Sequence, residues 1–171
     1  MLKLSFRAPR PFELKLCDEK NFYEAFVDNI KQASLTIMIE SPFICYRRAA
    51  YLLPHIVRAL DRGVSIQIIT RNPNEHEGSM TQQAQSIVDM FENIGVDVQY
   101  VRKTHRKTAI IDKHILWDGS LNILSQAYSR EVMRRIVSRN ECRAMKNCPV
   151  PPILNPPIRC NSQTMLRIRG Y

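Results

Sequence analysis

A chain of 171 residues, 44% hydrophobic and 24% charged, is long enough for one domain with a proper core. No run approaches the ~18 apolar residues of a membrane span. The first ten residues, Met-Leu-Lys-Leu-Ser-Phe-Arg-Ala-Pro-Arg, lack the apolar stretch of a secretory signal. A soluble, cytoplasmic protein without stable membrane insertion is therefore expected. The formal net charge of +9 implies a polyanionic partner, nucleic acid ahead of an anionic membrane surface.

In chain order, residues 1–16 are broken by Pro9 and Pro11 and read as an edge or lead-in segment. Asp18 is placed to cap a helix running to about Ala33, with Phe22, Phe26, Ile30 and Ala33 on its buried face. Residues 34–40 form a strand with few polar positions, expected to be covered on both faces. Ser41-Pro42-Phe43-Ile44 follows at the strand end, where ligands of open α/β sheets bind. Arg47 and Arg48 are candidate phosphate contacts there; two solvated arginines are the alternative. A helix over about 50–61 holds Pro54 near its start or as a kink, and Gly63 caps its end. Residues 64–70 alternate and then turn apolar, as a strand does. Residues 71–78 form a polar loop containing His76. A helix starting at Ser79 or Thr81 presents Met80, Ala84, Ile87, Val88, Phe91 and Ile94 as an apolar stripe, and Gly95 stops it. Residues 96–101 form the strand that leads to the most informative stretch.

That stretch is 105–122. Residues 107–112 are short and rich in β-branched side chains, so they predict a strand. Residues i and i+2 share a strand face, so His105 and Lys107 project together and form an electropositive site suited to a phosphate. Asp112, at odd separation from both, needs a bend or supports the site from behind. Residues 115–117 predict a second strand. Gly119 permits a tight turn that returns the Ser120 hydroxyl and the Asn122 amide towards the same point. A short helical segment is expected next, then a last strand over 131–137.

The end of the chain is basic. Residues 130–171 hold nine Arg and Lys against two acids, which makes Arg134, Arg135 and Arg139 candidate nucleic-acid contacts; a solvated tail is the plain alternative. Pro149, Pro151, Pro152, Pro156 and Pro157 exclude helix and central strand there. The division that follows is a domain over 1–140 and an extended, basic, Pro-rich arm over 141–171. The five cysteines, Cys17, Cys45, Cys142, Cys148 and Cys160, are an odd number without C-x-x-C, consistent with free thiols. The tail has no histidine to complete a zinc site, so no metal or cofactor is expected. Alternating helices and strands predict an α/β layer fold.

His105, Lys107 and Asp112 stand at H-x-K-x4-D spacing, and after six residues comes Gly119-Ser120-Leu121-Asn122, a G-S-x-N. The whole pattern resembles the HKD signature of the phospholipase D superfamily, and residues 33–44 resemble its second recognisable element. The resemblance covers about 18–137. It implies a mixed β-sheet flanked by helices on both faces, with one HKD motif per chain where larger members carry two. It also implies metal-independent chemistry: one histidine attacks phosphorus, a second protonates the leaving oxygen and then activates water. Carried over, His105 serves in both roles across a homodimer, Lys107 binds the non-bridging oxygens, and Ser120 and Asn122 add hydrogen bonds. Asp112 would steady the site or tune the ring. Glu131 and Ser41 would stand behind it. His55, His76 and His114 lack the motif's neighbours. The superfamily is chemically broad, and this chain looks most like its short stand-alone nucleases. A phosphodiesterase acting on nucleic acid, DNA favoured, leads. Behind it stand a phospholipid hydrolase, a binding module of a larger DNA-processing complex, and a zinc-stabilised domain built on the tail cysteines.

Overall fold

The computed structural model describes residues 13–75 and 78–148. The sheet has seven strands: β1 (Glu13–Asp18), β2 (Thr36–Glu40), β3 (Ser65–Thr70), β4 (Asp97–Tyr100), β5 (Thr108–Ile111), β6 (Ile115–Gly119) and β7 (Val132–Val137), in the order β1-β7-β6-β5-β2-β3-β4. β2, β3 and β4 run parallel, joined through α2 (Tyr46–Asp61) and α3 (Ser79–Asn93); α1 (Phe22–Gln32) precedes β2, and α4 (Arg139–Asn147) follows β7. β5, β6, β7 and β1 pair antiparallel from β2 outward. The fold is the expected mixed α/β one.

The strand period sorts the helices. Ile37, Ile39, Ile66, Ile68, Ala109, Ile111, Trp117 and Met133 join the buried cluster that holds Phe22, Phe26, Leu52, Ile56, Val88 and Phe91. The main core therefore lies between one sheet face and α1, α2 and α3. The alternate residues Ile110, Leu116 and Ile136 cluster instead with Cys142. On that face α4 covers the sheet among the described residues, so three helices lie on one side and one on the other. A boundary after residue 140 falls inside α4, and Cys142 makes the helix part of the fold. The rest of the expected arm, from residue 149, lies outside the described residues, as do residues 1–12, His76 and Cys160.

Several boundaries shift for identifiable reasons. Asp18 ends β1 and does not cap α1: its Oδ1 accepts from the amides of Lys20 and Asn21 at 3.0 and 3.1 Å, forming a turn before the helix. α2 begins at Tyr46, four residues before the expected start, so Pro54 sits in mid-helix. Its N-cap, Cys45, has no side-chain capping bond and gave no signal. Met80 is exposed and leaves the α3 stripe, whereas Ala84, Ile87, Val88 and Phe91 are buried. The stretch after Asn122 is a single turn, closed by Ser125 and Gln126 amides on the Asn122 carbonyl at 3.0 and 2.8 Å, not a helix.

Candidate active site

Topology alone gathers one rim. β5 runs against β2, and Thr108 pairs with Glu40; β6 returns, and Thr108 pairs with Asp118; Gly119 pairs with Met133. The start of β5, the ends of β2, β3 and β6 and the start of β7 therefore share one edge of the sheet. His105, Lys107, Ser41, Ser120 and Glu131 lie on that rim, immediately outside these strands. Asn122 follows two residues after Ser120.

His105 and Lys107 precede β5 and are not on it. The loop is held by a buried carboxylate. Glu40, 3% exposed, accepts from the Thr104 hydroxyl at 2.7 Å, and the Arg106 guanidinium lies 3.7 Å from its other oxygen. Both residues flanking His105 are thus anchored and its ring is left exposed. Lys107 Nζ donates to the His105 carbonyl at 2.9 Å, which fixes the ammonium beside the ring. Burial lowers the Lys107 pKa from its ordinary value; Glu131 opposes and Arg71 adds to that shift. Arg71, placed only within a polar loop by sequence, stands against the ring: its Nη2 is 2.8 Å from His105 Nε2 and its Nε donates to the Thr104 carbonyl at 2.9 Å. The available signal was its position one residue beyond β3, at the carboxyl end of a parallel strand.

Ser120 and Gly119 form the other wall. The Ser120 amide donates to the Val132 carbonyl at 2.9 Å and its hydroxyl accepts from the Val132 amide at 3.1 Å, so the end of β6 is locked to the start of β7. A Cβ on Gly119 would run into the Val132 carbonyl and stand 2.9 Å from Met133 Cα, which is why glycine precedes the serine. Asn122 Oδ1 is buried without a partner among the described residues. The Ser41 hydroxyl accepts from the Leu124 amide at 3.2 Å and donates to the Phe43 carbonyl at 3.0 Å, bracing the loop beyond the motif. Glu131 accepts from the Ser129 hydroxyl at 2.7 Å. A cleft of about 300 Å³ opens beside Ser120, between Glu19, Arg130 and Glu131. A larger one of about 400 Å³ lies on the α4 face among Leu14, Leu116 and Ile136, away from His105.

Asp112 is not brought to this rim. It stands at the far end of β5, roughly five residues and 16 Å from Lys107 along an extended chain. Asp112 and Lys113 both have positive φ, 51° and 59°, and turn the chain into β6. That turn sends the Asp112 carboxylate to the start of β2. The amides of Leu35 and Thr36 donate to Oδ1 at 2.8 and 3.0 Å, and the Ser34 amide and hydroxyl donate to Oδ2 at 2.9 and 3.2 Å. Burial pushes the carboxyl pKa up, and the hydrogen bonds from Thr36, Ser34 and Leu35 together outweigh it, leaving it below the ordinary value. Stability from this group is therefore present above about pH 4 and lost as pH falls through the lowered folded value. Asp112→Ala should lower folding stability by about 2 kcal/mol at pH 7, with a smaller deficit at pH 3. Urea midpoints at the two pH values check this; an unchanged midpoint with lost activity would return Asp112 to the site.

The candidate arginines divide. Arg48 donates to the Gln126 carbonyl at 2.7 Å and lies 3.9 Å from the Tyr23 ring centre, a structural brace. Arg134 is held by Asp118 through two bonds of 3.0 and 2.6 Å, and Arg135 by Asn29 and Glu13. Arg139 lies with Leu35, Asp112 and Arg143 at the opposite edge. Arg47 is exposed near the rim without such an ion pair among the described residues, 5.5 Å from the ring centre of Tyr128, which is 91% exposed. His55 sits on α2 and His114 in the turn after β5, both away from the rim. Among the described residues no group of three or more His, Cys, Asp or Glu is placed to hold a metal ion.

The family model "Cardiolipin synthase, PLD-like domain" matches residues 26–147. No curated protein matches the chain by sequence. Among solved structures, NucT from Helicobacter pylori is similar with a TM-score of 0.65 and 19% identity, over 80% of this chain and 92% of that one. Nuc from Salmonella typhimurium, a phospholipase D family member, gives 0.63 and 16%, over 80% and 90%. Phosphatidylserine synthase from Haemophilus influenzae Rd KW20 gives 0.62 and 15%, over 85% of this chain and 39% of that one. At these identities the structures speak for the fold, and the family match covers most of the chain, including both halves of the motif: the protein belongs to the phospholipase D superfamily of phosphodiesterases.

Proposed function

We propose that the chain hydrolyses phosphodiester bonds in nucleic acid, DNA favoured, without a metal, through a covalent phosphohistidine on His105. The observation that carries this reading is the exposed His105 ring anchored beside Lys107 and facing Arg71 at one sheet edge. An imidazole supplies the nucleophile and two cations stand where charge grows on the non-bridging oxygens. Ser120 and Asn122 add hydrogen-bonding groups, and Glu131 faces Lys107 across the rim. The reaction needs a second histidine on the leaving-group side. A two-fold axis beside the Lys107 loop would bring His105 of a second copy there, an isologous contact of the commonest kind.

The rim favours nucleic acid over a lipid headgroup. The exposed Tyr128 ring with Arg47 beside it offers a stacking face for a base next to a cation for its phosphate. The first turn of α2 carries Arg47 and Arg48 and no acid, which raises the positive potential at that helix end. Among the described residues no helix is long and apolar enough to cross a membrane.

Labelled single- and double-stranded DNA and RNA, incubated in EDTA beside a liposome-release assay, test the reading. Nucleic-acid cleavage should persist in EDTA, with DNA cut fastest, and light scattering should give twice the chain mass. Activity lost in EDTA and restored by magnesium, or confined to liposomes, would contradict it. A fully active monomer would remove the shared site. Binding without cleavage would favour a module of a larger DNA-processing assembly.

A further inference from the structure

Arg71 lies outside the H-x-K-x4-D and G-S-x-N residues, yet its guanidinium stands in direct contact with the His105 ring. Its Nη2 is 2.8 Å from His105 Nε2, its Nε donates to the Thr104 carbonyl at 2.9 Å, and its Cζ lies 4.9 Å from the Phe43 ring centre. A guanidinium has five N–H donors, no acceptor, and keeps its proton in proteins. At 2.8 Å the Nε2 atom must therefore be the acceptor. Its lone pair faces Arg71, and the ring proton sits on Nδ1. Arg71 thus chooses which nitrogen carries the lone pair and at the same time covers it.

Two further observations separate this arrangement from a plain brace. Among the described residues no carboxylate forms an ion pair with Arg71. Burial and, to a lesser degree, Arg71 disfavour the Lys107 ammonium, while Glu131 favours it. Glu131 offsets the charge of Lys107, so of the two cations about the exposed imidazole it is Arg71 that still lacks an anion among the described residues. A phosphodiester supplies that anion, and its charged oxygens are stronger acceptors than an imidazole nitrogen.

We propose that Arg71 is a phosphate-binding residue and a substrate-released cap on His105 Nε2, an inference that rests on His105 being the nucleophile for its catalytic half. When a phosphodiester enters, the Nη2–H bond passes from Nε2 to a non-bridging oxygen, while Nε stays on the Thr104 carbonyl and limits the swing. No proton is transferred in this exchange. The freed Nε2 lone pair forms the N–P bond. The P–O bond to the leaving group breaks, its electron pair stays on that oxygen, and the second histidine protonates it. Water is thereby kept from a bare nucleophile in the resting site, and the attack waits for the group that is to be attacked.

The test uses full-length protein labelled with ¹⁵N-histidine, as wild type, Arg71→Ala and Arg71→Lys, with inorganic phosphate as probe. In wild type the His105 ring should show the Nδ1–H tautomer, and phosphate should shift its Nε2 resonance as the cap leaves. In Arg71→Ala the ring should move towards the Nε2–H form, and phosphate should bind about tenfold more weakly. On bis(p-nitrophenyl) phosphate the same variant should raise KM about tenfold and lower kcat by a similar factor. Added guanidinium ion should restore part of kcat in a saturable way. Arg71→Lys, which keeps charge without the fork, should keep much of the phosphate affinity but not the tautomer; it also serves as the probe if Arg71→Ala fails to fold. An unchanged tautomer together with unchanged phosphate affinity in a folded variant would reduce Arg71 to a brace for Thr104 and overturn the proposal. The spectra do not depend on turnover. A wild type that binds phosphate with the predicted shifts but hydrolyses no diester would contradict the phosphodiesterase reading and leave Arg71 as a phosphate ligand.

Discussion

His105→Ala should lower phosphodiester turnover by about a thousandfold or more while leaving the fold intact. The residue is exposed and its side chain bonds to Arg71, so its loss removes no core contact. Lys107 binds the carbonyl of residue 105, not its side chain, and so stays in place when the ring goes. Thr104 remains anchored to Glu40 and Arg106 remains beside it. The variant should therefore keep its melting temperature and its affinity for nucleic acid while losing the chemical step. Lys107→Ala should cost less, about a hundredfold, because it removes charge stabilisation and leaves the nucleophile. Rates on a labelled oligonucleotide beside thermal melts decide this. A folded His105→Ala protein with undiminished turnover would end the assignment.

The second large effect is expected at a residue with no side chain. Gly119→Ala places a Cβ against the Val132 carbonyl and 2.9 Å from Met133 Cα, atoms of the strand paired to it. Those are backbone atoms within a ladder, so they cannot step aside as a flexible side chain would. β6 and β7 must separate at the rim, and the two adjoining Ser120–Val132 bonds open with them. The loss should be about 3 kcal/mol of stability. Turnover of the molecules that still fold should fall about a hundredfold, since Ser120 and Glu131 both move. Urea unfolding and the rate per folded molecule give the two numbers. A stable, active Gly119→Ala protein would show that the rim tolerates a wider gap and that the Gly-Ser spacing serves another purpose.

The sequence carried the layer architecture because its signals are local. Phe22, Phe26 and Ile30 recur at helical spacing and all three are buried. Gly63 and Gly95 mark helix ends, and both have positive φ, 83° and 96°. The motif's rim was legible for the same reason, since His105, Lys107, Ser120 and Glu131 all fall at strand ends that topology brings together. What escaped depends on partners distant in sequence. The loop before β5 resembles strand locally because nothing in its sequence marks a turn. Lys103 takes φ 52° there without a glycine, and the bond that fixes the loop comes from Glu40, 64 residues away. Asp112 has a similar history: its odd position against the strand period was visible, but its partners at Ser34, Leu35 and Thr36 were not. Arg71 could be seen at the end of a strand, yet only the fold sets it against the His105 ring. The pairing of the basic residues is likewise non-local: Arg134 and Arg135 bond to Asp118, Asn29 and Glu13, which a count of cations does not show.

The central claim is a covalent bond between phosphorus and His105, and it can be read directly. Protein mixed with a diester labelled at phosphorus, in EDTA, would be quenched within the first turnover in alkaline denaturant, and the modified peptide identified by mass spectrometry. The account predicts a phosphoryl adduct on His105 that resists alkali, is released by acid, and is absent from His105→Ala. Turnover with label on Ser120, or with no protein-bound label at any quench time, would contradict it.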